Sequence, residues 1–250
     1  MSFDPSIFWR FLFYGPIVHG AELTVVLAIA SQALGIVIGL FLALSRLSRG
    51  RLPIFRGLAG LYIWFFRGTP LLVQIIFIYD GLPQITHHAV VLDAVPSALI
   101  ALSLNEGAYM AEIIRAGIQA VASGQMEAAK ALGMTYPKAM RRIIIPQAVR
   151  FIIPPTANEL ISMLKNTSLA VVIAAPELLY NVQEVYDANF DYFELLTVAS
   201  VWYLAMTTVA TYIQAKLERR LEYTPRTRLF WNTLLGRRGF GSIGQSGVPR

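Results

Sequence analysis

Between Leu23 and Ser45 the chain runs for 23 residues without an Asp, Glu, Lys or Arg. A helix needs about 20 largely apolar residues to cross the hydrocarbon layer of a bilayer, so this stretch is predicted to be a membrane span. It is too long for the apolar core of a signal peptide, and the segment before it has no basic cluster. Leu195–Ala215 is a second uncharged run. Three further apolar regions are broken by single charges: Gly57–Tyr79 by Arg67, Ala94–Ala116 by Glu106, Glu112 and Arg115, and Phe151–Pro176 by Glu159 and Lys165. The expectation is an all-α integral membrane protein with five transmembrane helices, at 20–45, 57–82, 94–116, 151–176 and 193–216. Composition agrees: 56% of the 250 residues are hydrophobic and only 14% are charged, against about 25% charged in soluble domains. A water-soluble enzyme, a disordered chain and a nucleic-acid partner are all disfavoured. The net charge of +6 suits an anionic membrane surface instead. With no cysteine, disulfides, thiolate metal sites and Cys nucleophiles are excluded.

Loop charges set the orientation, because basic residues stay on the cytoplasmic side. The first connection holds Arg46, Arg49, Arg51 and Arg56; the second has no Lys or Arg, only His87 and His88. The third holds Lys130, Lys138, Arg141, Arg142 and Arg150. The fourth carries Glu177, Glu184, Asp187 and Asp191, and the end of the chain from Lys216 is basic again. This alternation places the N-terminus outside and the C-terminus inside. It divides the chain into an external segment (1–19), a transmembrane domain (20–222) with a cytoplasmic loop at 117–150, and a basic tail (223–250) whose Phe230 and Trp231 can touch the interface. The adjacent histidines lack a carboxylate cluster and are taken as loop residues, so no metal site is expected.

The loop at 117–150 has the marks of ordered structure. Ser123 is placed to cap a helix containing Gln125–Leu132, with Glu127 in its first turn. Gly133 is placed as the C′ glycine that ends it. Thr135 then caps a second helix, with Pro137 in its first turn. Small residues at Ala128, Ala129 and Ala131 permit close docking. No G-x-x-x-x-G-K-[ST] phosphate loop occurs anywhere in the chain, so a pump built on it needs a partner that hydrolyses ATP.

Glu127-Ala128-Ala129, Gly133, Ile143, Ile145 and Pro146 follow the spacing of the EAA loop of ABC importer permeases, with Ile145 where the family usually has Leu. Segments around Phe66–Gln74, Gly107–Ile118 and Asn158–Leu169 resemble those of the subfamily that imports polar amino acids and opines. The resemblance spans roughly residues 15–222. It implies a type I ABC importer permease fold and no cofactor in this chain, with ATP and Mg bound by the partner. The implied partners are two ATP-binding subunits, a second permease chain as homodimer or heterodimer, and an extracytoplasmic amino-acid-binding protein, all at the bacterial inner membrane. The docking residues it implies are Ser123, Gly124, Glu127, Ala128, Ala129, Ala131, Gly133 and Tyr136.

Charged groups inside spans are costly in lipid and tend to face protein or water. At 100° per residue, Asn158, Glu159, Ser162, Lys165 and Asn166 share an arc of about 120°. Leu160, Ile161 and Leu164 lie on the other side. Asn105, Glu106, Tyr109 and Glu112 form a similar stripe on the preceding span. Two such stripes suit a polar passage for a zwitterion, with Arg67 and Lys165 meeting its carboxylate and Glu106 and Glu159 its ammonium. Internal pairing is the other reading: Glu159 with Lys165 of a partner chain, and Glu112 with Arg115, which is favoured for the latter pair. Arg67-Gly68-Thr69-Pro70 is either a hinge or half-helix end at a substrate path, or a packing kink. An intramembrane enzyme lacks its H-E-x-x-H or G-x-S-x-G motif, an ion-coupled carrier lacks internal repeats, and a peptide or sugar cargo is disfavoured by the flanking motifs.

Overall fold

The computed structural model describes residues 3–47 and 53–221. Arg49, Arg51 and the basic tail lie outside the described residues. Among those described the chain is all helical. In order the helices are α1 (Pro5–Leu12), α2 (Gly15–Leu47), α3 (Pro53–Gly68), α4 (Leu71–Ile76), α5 (Leu82–Ile85), α6 (Ala94–Gln119), α7 (Ser123–Ala131), α8 (Tyr136–Ala139), α9 (Ile145–Asn166), α10 (Leu178–Asn189) and α11 (Tyr192–Leu221). A π-helical turn at Phe77–Gly81 joins α4 to α5, and another at Met140–Ile144 joins α8 to α9.

By length and apolarity, α2 and α11 are able to cross a membrane. The bent pair Pro53–Gly68 and Leu71–Ile85 makes a third crossing if it is one span. Helices α6 and α9 are long enough, but they carry Asn105, Glu106 and Glu112, and Glu159 and Lys165, within their lengths.

Several boundaries differ from expectation for visible reasons. The N-terminal segment, expected without a helix, holds one of its own, α1, capped by the Asp4 carboxylate on the Ser6 N–H. It packs on α11, where the Trp202 indole N–H donates to the Leu12 carbonyl. The expected second span is broken at Thr69-Pro70, where the chain bends by 107°. The fourth begins earlier, since α8, the π turn and α9 follow one another without a break, and Pro154 and Pro155 lie inside α9. It also ends earlier: a 3₁₀ segment, Thr167–Ile173, follows Asn166 and closes on Ala174 at φ 55°. The acidic fourth connection holds α10, whose N-cap Glu177 is fully buried. Its carboxylate accepts from the Tyr180 N–H, Tyr203 Oη and Thr24 Oγ1, tying α10 to α2 and α11.

The centre of the fold is the parallel pair α2 and α6. Ala28 packs with Leu102 and Ala43 with Met110 and Ile114, so both helices advance together. Gly35 and Gly39 make the close approach possible. A Cβ at Gly35 would stand 2.4 Å from Glu106 Cγ, and one at Gly39 would stand 2.8 Å from the Ala111 backbone nitrogen. Lipid offers no hydrophobic driving force between helices, so small residues that let backbones meet supply the packing. A larger side chain there has a rigid backbone to displace, and overpacking costs about 1–3 kcal/mol. The Gly39→Leu variant is therefore expected to melt about 5 °C or more below the unsubstituted protein. Gly57→Ala, on the open side of α3 with nothing within 4 Å, should leave the melting temperature unchanged or slightly raised. Equal melting of Gly39→Leu and the unsubstituted protein would refute the close seam.

Candidate functional site

Two regions follow from this fold: an exposed turn between α7 and α8, and a polar face along α6, α9 and the bent α3–α4 pair.

The exposed turn forms at the end of α7. Gly133 has φ 73°, the left-handed region. Its N–H donates to the Lys130 carbonyl, and the Met134 N–H donates to the Ala129 carbonyl. This is the paired bonding of a Schellman end. Nothing lies within 4 Å of a Cβ built on Gly133, so conformation, not space, demands glycine here. Thr135 precedes α8 and Pro137 lies in its first turn, as the sequence predicts, but the Thr135 hydroxyl makes no capping bond. Two other expectations are corrected. Ser123 is the first residue of α7, not its cap: Ala122 holds the N-cap position and no side-chain cap bond forms. Glu127 then falls beyond the first turn.

The docking candidates divide by exposure. Ser123, Gly124, Glu127, Ala128, Ala131, Gly133 and Tyr136 are exposed. Ala129 is buried, so it holds α7 to its own chain and is not open to a partner. Met126 packs on Val121, Ile144 and Ala148, and Gln147 reaches Gln125 across the turn. Leu132 is 81% exposed beside this turn. Sequence reasoning missed it because an apolar residue ending an amphipathic helix looks like core.

The polar face is built around the break after α3. A helix that ends inside a bilayer leaves carbonyls that lipid cannot satisfy. Here the Thr69 N–H and hydroxyl take the Phe65 carbonyl. The Phe66 carbonyl accepts from Gln74 Nε2 and from Asn105 Nδ2, both at 3.0 Å. Gln74 Nε2 also lies 3.1 Å from the Thr69 carbonyl, and Gln74 Oε1 accepts from Asn105 Nδ2 at 3.0 Å. Asn105 is thus buried and engaged with backbone rather than facing an open passage. The sequence does not mark Gln74 as a site residue; its signal there is a lone amide within an apolar run.

Glu106 is also buried, between α2 and α6, and accepts from Gln32 Nε2 at 3.0 Å. Gln32 was missed for the same reason as Gln74. Tyr109, one turn beyond Asn105, lies under the Arg67 guanidinium, 5.3 Å from it to the ring centre. Cation–π contact of this kind holds a cation against a ring face. Glu112 takes the structural role favoured for it: it binds Arg115 and, at 2.9 Å, Arg46, a second partner that sequence did not suggest.

On α9, Asn158 and Lys165 are exposed and Glu159, Ser162 and Asn166 half-buried. Asn158 Oδ1 accepts from Gln214 of α11. Glu159 lies within electrostatic reach of Arg67 and of Glu106. On the opposite side of α9, Leu160 and Leu164 line an open apolar groove of about 650 Å³ against α2 and α11. The helix therefore has one polar and one apolar flank. Of the candidate residues, the fold sets the Arg67 guanidinium over Tyr109, within electrostatic reach of Glu159 and of Glu112, and gives Asn105 and Glu106 internal partners. Among the described residues no group of His, Cys, Asp and Glu is placed to hold a metal.

Residues 35–223 match the model of the family described as binding-protein-dependent transport system inner membrane component. An arginine transport system permease protein of Corynebacterium glutamicum is 45% identical over 223 residues, covering 85% of this chain and 70% of its own length. An octopine transport system permease protein of Rhizobium radiobacter is 41% identical over 232 residues, covering 89% and 90% respectively. A solved chain from the crystal structure of an amino acid ABC transporter with histidines superposes with a TM-score of 0.80 at 38% identity, over 88% of this chain and all of that one.

Proposed function

The chain belongs to the family of binding-protein-dependent transport system inner membrane components, and from that membership we propose how it works and what passes through it. It has the type I importer permease fold and is the membrane permease subunit of an ATP-driven importer. It is not an enzyme; ATP hydrolysis belongs to a separate subunit. Membership also implies a substrate-binding protein.

The cargo is a polar amino acid delivered from outside. Support comes from the amino-acid and opine cargoes in the relatives' names, and above all from one juxtaposition. A guanidinium, Arg67, resting on Tyr109, stands within electrostatic reach of the half-buried carboxylate of Glu159. A zwitterion offers the complementary pair, a carboxylate for Arg67 and an ammonium for Glu159. Ser162, Lys165 and Asn166 extend this face along α9, and a second permease chain would close it. Asn105 and Glu106 support it from behind.

The working assembly is two permease chains and two ATP-binding subunits that hold ATP and Mg. Each permease chain crosses the bacterial inner membrane five times, N-terminus outside and C-terminus inside. The exposed turn from Ser123 to Tyr136 meets the ATP-binding subunit. When ATP closes those subunits, the two turns are drawn together and the helices exchange outward for inward access.

The test is uptake into proteoliposomes carrying permease, ATP-binding subunit and binding protein. Labelled arginine, histidine or glutamine is expected to accumulate with ATP and binding protein present, and to ignore an imposed proton or sodium gradient. Uptake driven by the gradient alone would overturn the reading.

A further inference from the structure

We infer that Gln74 and Asn105 are positioning residues for Arg67, forming a buried clamp that holds the break in the span at the angle that presents the guanidinium to the cargo's carboxylate. This rests on the reading of Arg67 given above.

The geometry leads there in three steps. First, the break is sharp, 107°, and lies at Thr69-Pro70, directly after Arg67 and Gly68. A bend between two short helices has no stiffness of its own, because the hydrogen bonds that would cross it are missing. Second, the two amides replace those bonds. The Phe66 carbonyl, immediately before Arg67, receives both of them, one from α4 on the far side of the bend and one from the neighbouring α6. The amides are also bonded to each other, and Thr69 Oγ1 lies 2.8 Å from Gln74 Nε2. Both residues are buried, at 5% and 7% exposure, so water does not compete for these bonds. Carbonyl oxygens of Phe66 and Thr69 face Gln74 Nε2, which fixes the orientation of that amide. Third, the same face of α6 carries the rest for the side chain. Tyr109 is one turn beyond Asn105, and the Arg67 guanidinium lies over its ring. One helix thus fixes the backbone before Arg67 with Asn105 and the head group with Tyr109. A further tie, from Tyr62 Oη to the Leu104 carbonyl, holds α3 to α6 just ahead of the break. A packing kink needs its carbonyls satisfied; it does not need two mutually bonded amides and an aromatic rest converging around one arginine.

Positioning makes a prediction that bulk structure does not. A displaced guanidinium loses recognition of the carboxylate specifically, while contacts to the rest of the cargo persist. The experiment is equilibrium binding of labelled arginine and of agmatine, its decarboxylated amine, to the assembled permease–ATPase complex. The unsubstituted complex is expected to prefer the acid by tenfold or more. Arg67→Met should abolish the preference, and so should Gln74→Leu and Asn105→Ala, although both retain Arg67. Preference lost in Arg67→Met but kept in both Gln74→Leu and Asn105→Ala would overturn the clamp while leaving the Arg67 reading intact. Preference kept in Arg67→Met, or absent from the unsubstituted complex, would overturn that reading and the clamp with it. Failure of both Gln74→Leu and Asn105→Ala to assemble would mark the amides as scaffold and overturn their positioning role.

Discussion

Replacing Gly133 by valine is expected to cut uptake by tenfold or more while the complex still assembles and hydrolyses ATP. Gly133 ends α7 at φ 73° with both Schellman bonds in place. A left-handed conformation costs an L-residue about 1–2 kcal/mol, and β-branching raises the cost further. That is a factor of about 5–30 against the turn. The open space around the glycine means that the added side chain meets nothing in its own chain, so folding of the permease is spared. What changes is the path of the exposed turn that we propose meets the ATP-binding subunit. Gly133→Asn is the control, since asparagine tolerates this region. It should retain most of the uptake. The measurement is transported substrate per ATP hydrolysed in proteoliposomes. Wild-type coupling in Gly133→Val would refute a role for this turn in transmission.

The second large effect is expected at Glu159. A hydrogen bond to a charged group contributes about 1.5–3 kcal/mol, so losing the carboxylate's contact with the cargo's ammonium in Glu159→Gln should lower uptake by tenfold or more. The competing explanation is that Glu159 pairs with Lys165 of a second permease chain. The two are separated by a charge swap. If pairing is the role, the double variant Glu159→Lys, Lys165→Glu restores uptake. If Glu159 receives the cargo's ammonium, the double variant stays as defective as Glu159→Gln, and recovery would refute the passage reading.

The sequence and the structure agree most closely where chemistry is local. Gly133 was legible because a left-handed residue after a helical run leaves few choices. The Glu112–Arg115 pair was legible from its spacing of three. The break at Arg67-Gly68-Thr69-Pro70 was legible as a break. Its lock was not, because Gln74 and Asn105 are 31 positions apart and neither announces the other. A helical wheel gave the angles on α6 correctly and the surroundings of Asn105 and Glu106 incorrectly. It fixes which residues share a face, not which helix covers that face; here α2, α3 and α4 cover it, with Gln32 and the Phe66 carbonyl waiting as partners. Loop composition hid the continuity of α8 into α9, since Arg141, Arg142 and Pro146 resemble a connection when they are counted rather than folded.

The contact of α2 with α6 has a mechanical consequence. Two helices that meet at Gly35 against the Glu106 side chain and at Gly39 against main chain resist rolling or sliding past one another, and the Gln32–Glu106 bond pins their register. The pair is expected to move as a single beam. Any transition between outward and inward states must carry this beam as one piece and be absorbed in its compliant neighbours: the elbow after α3, and α9 at Pro154-Pro155, where two helical hydrogen bonds are absent.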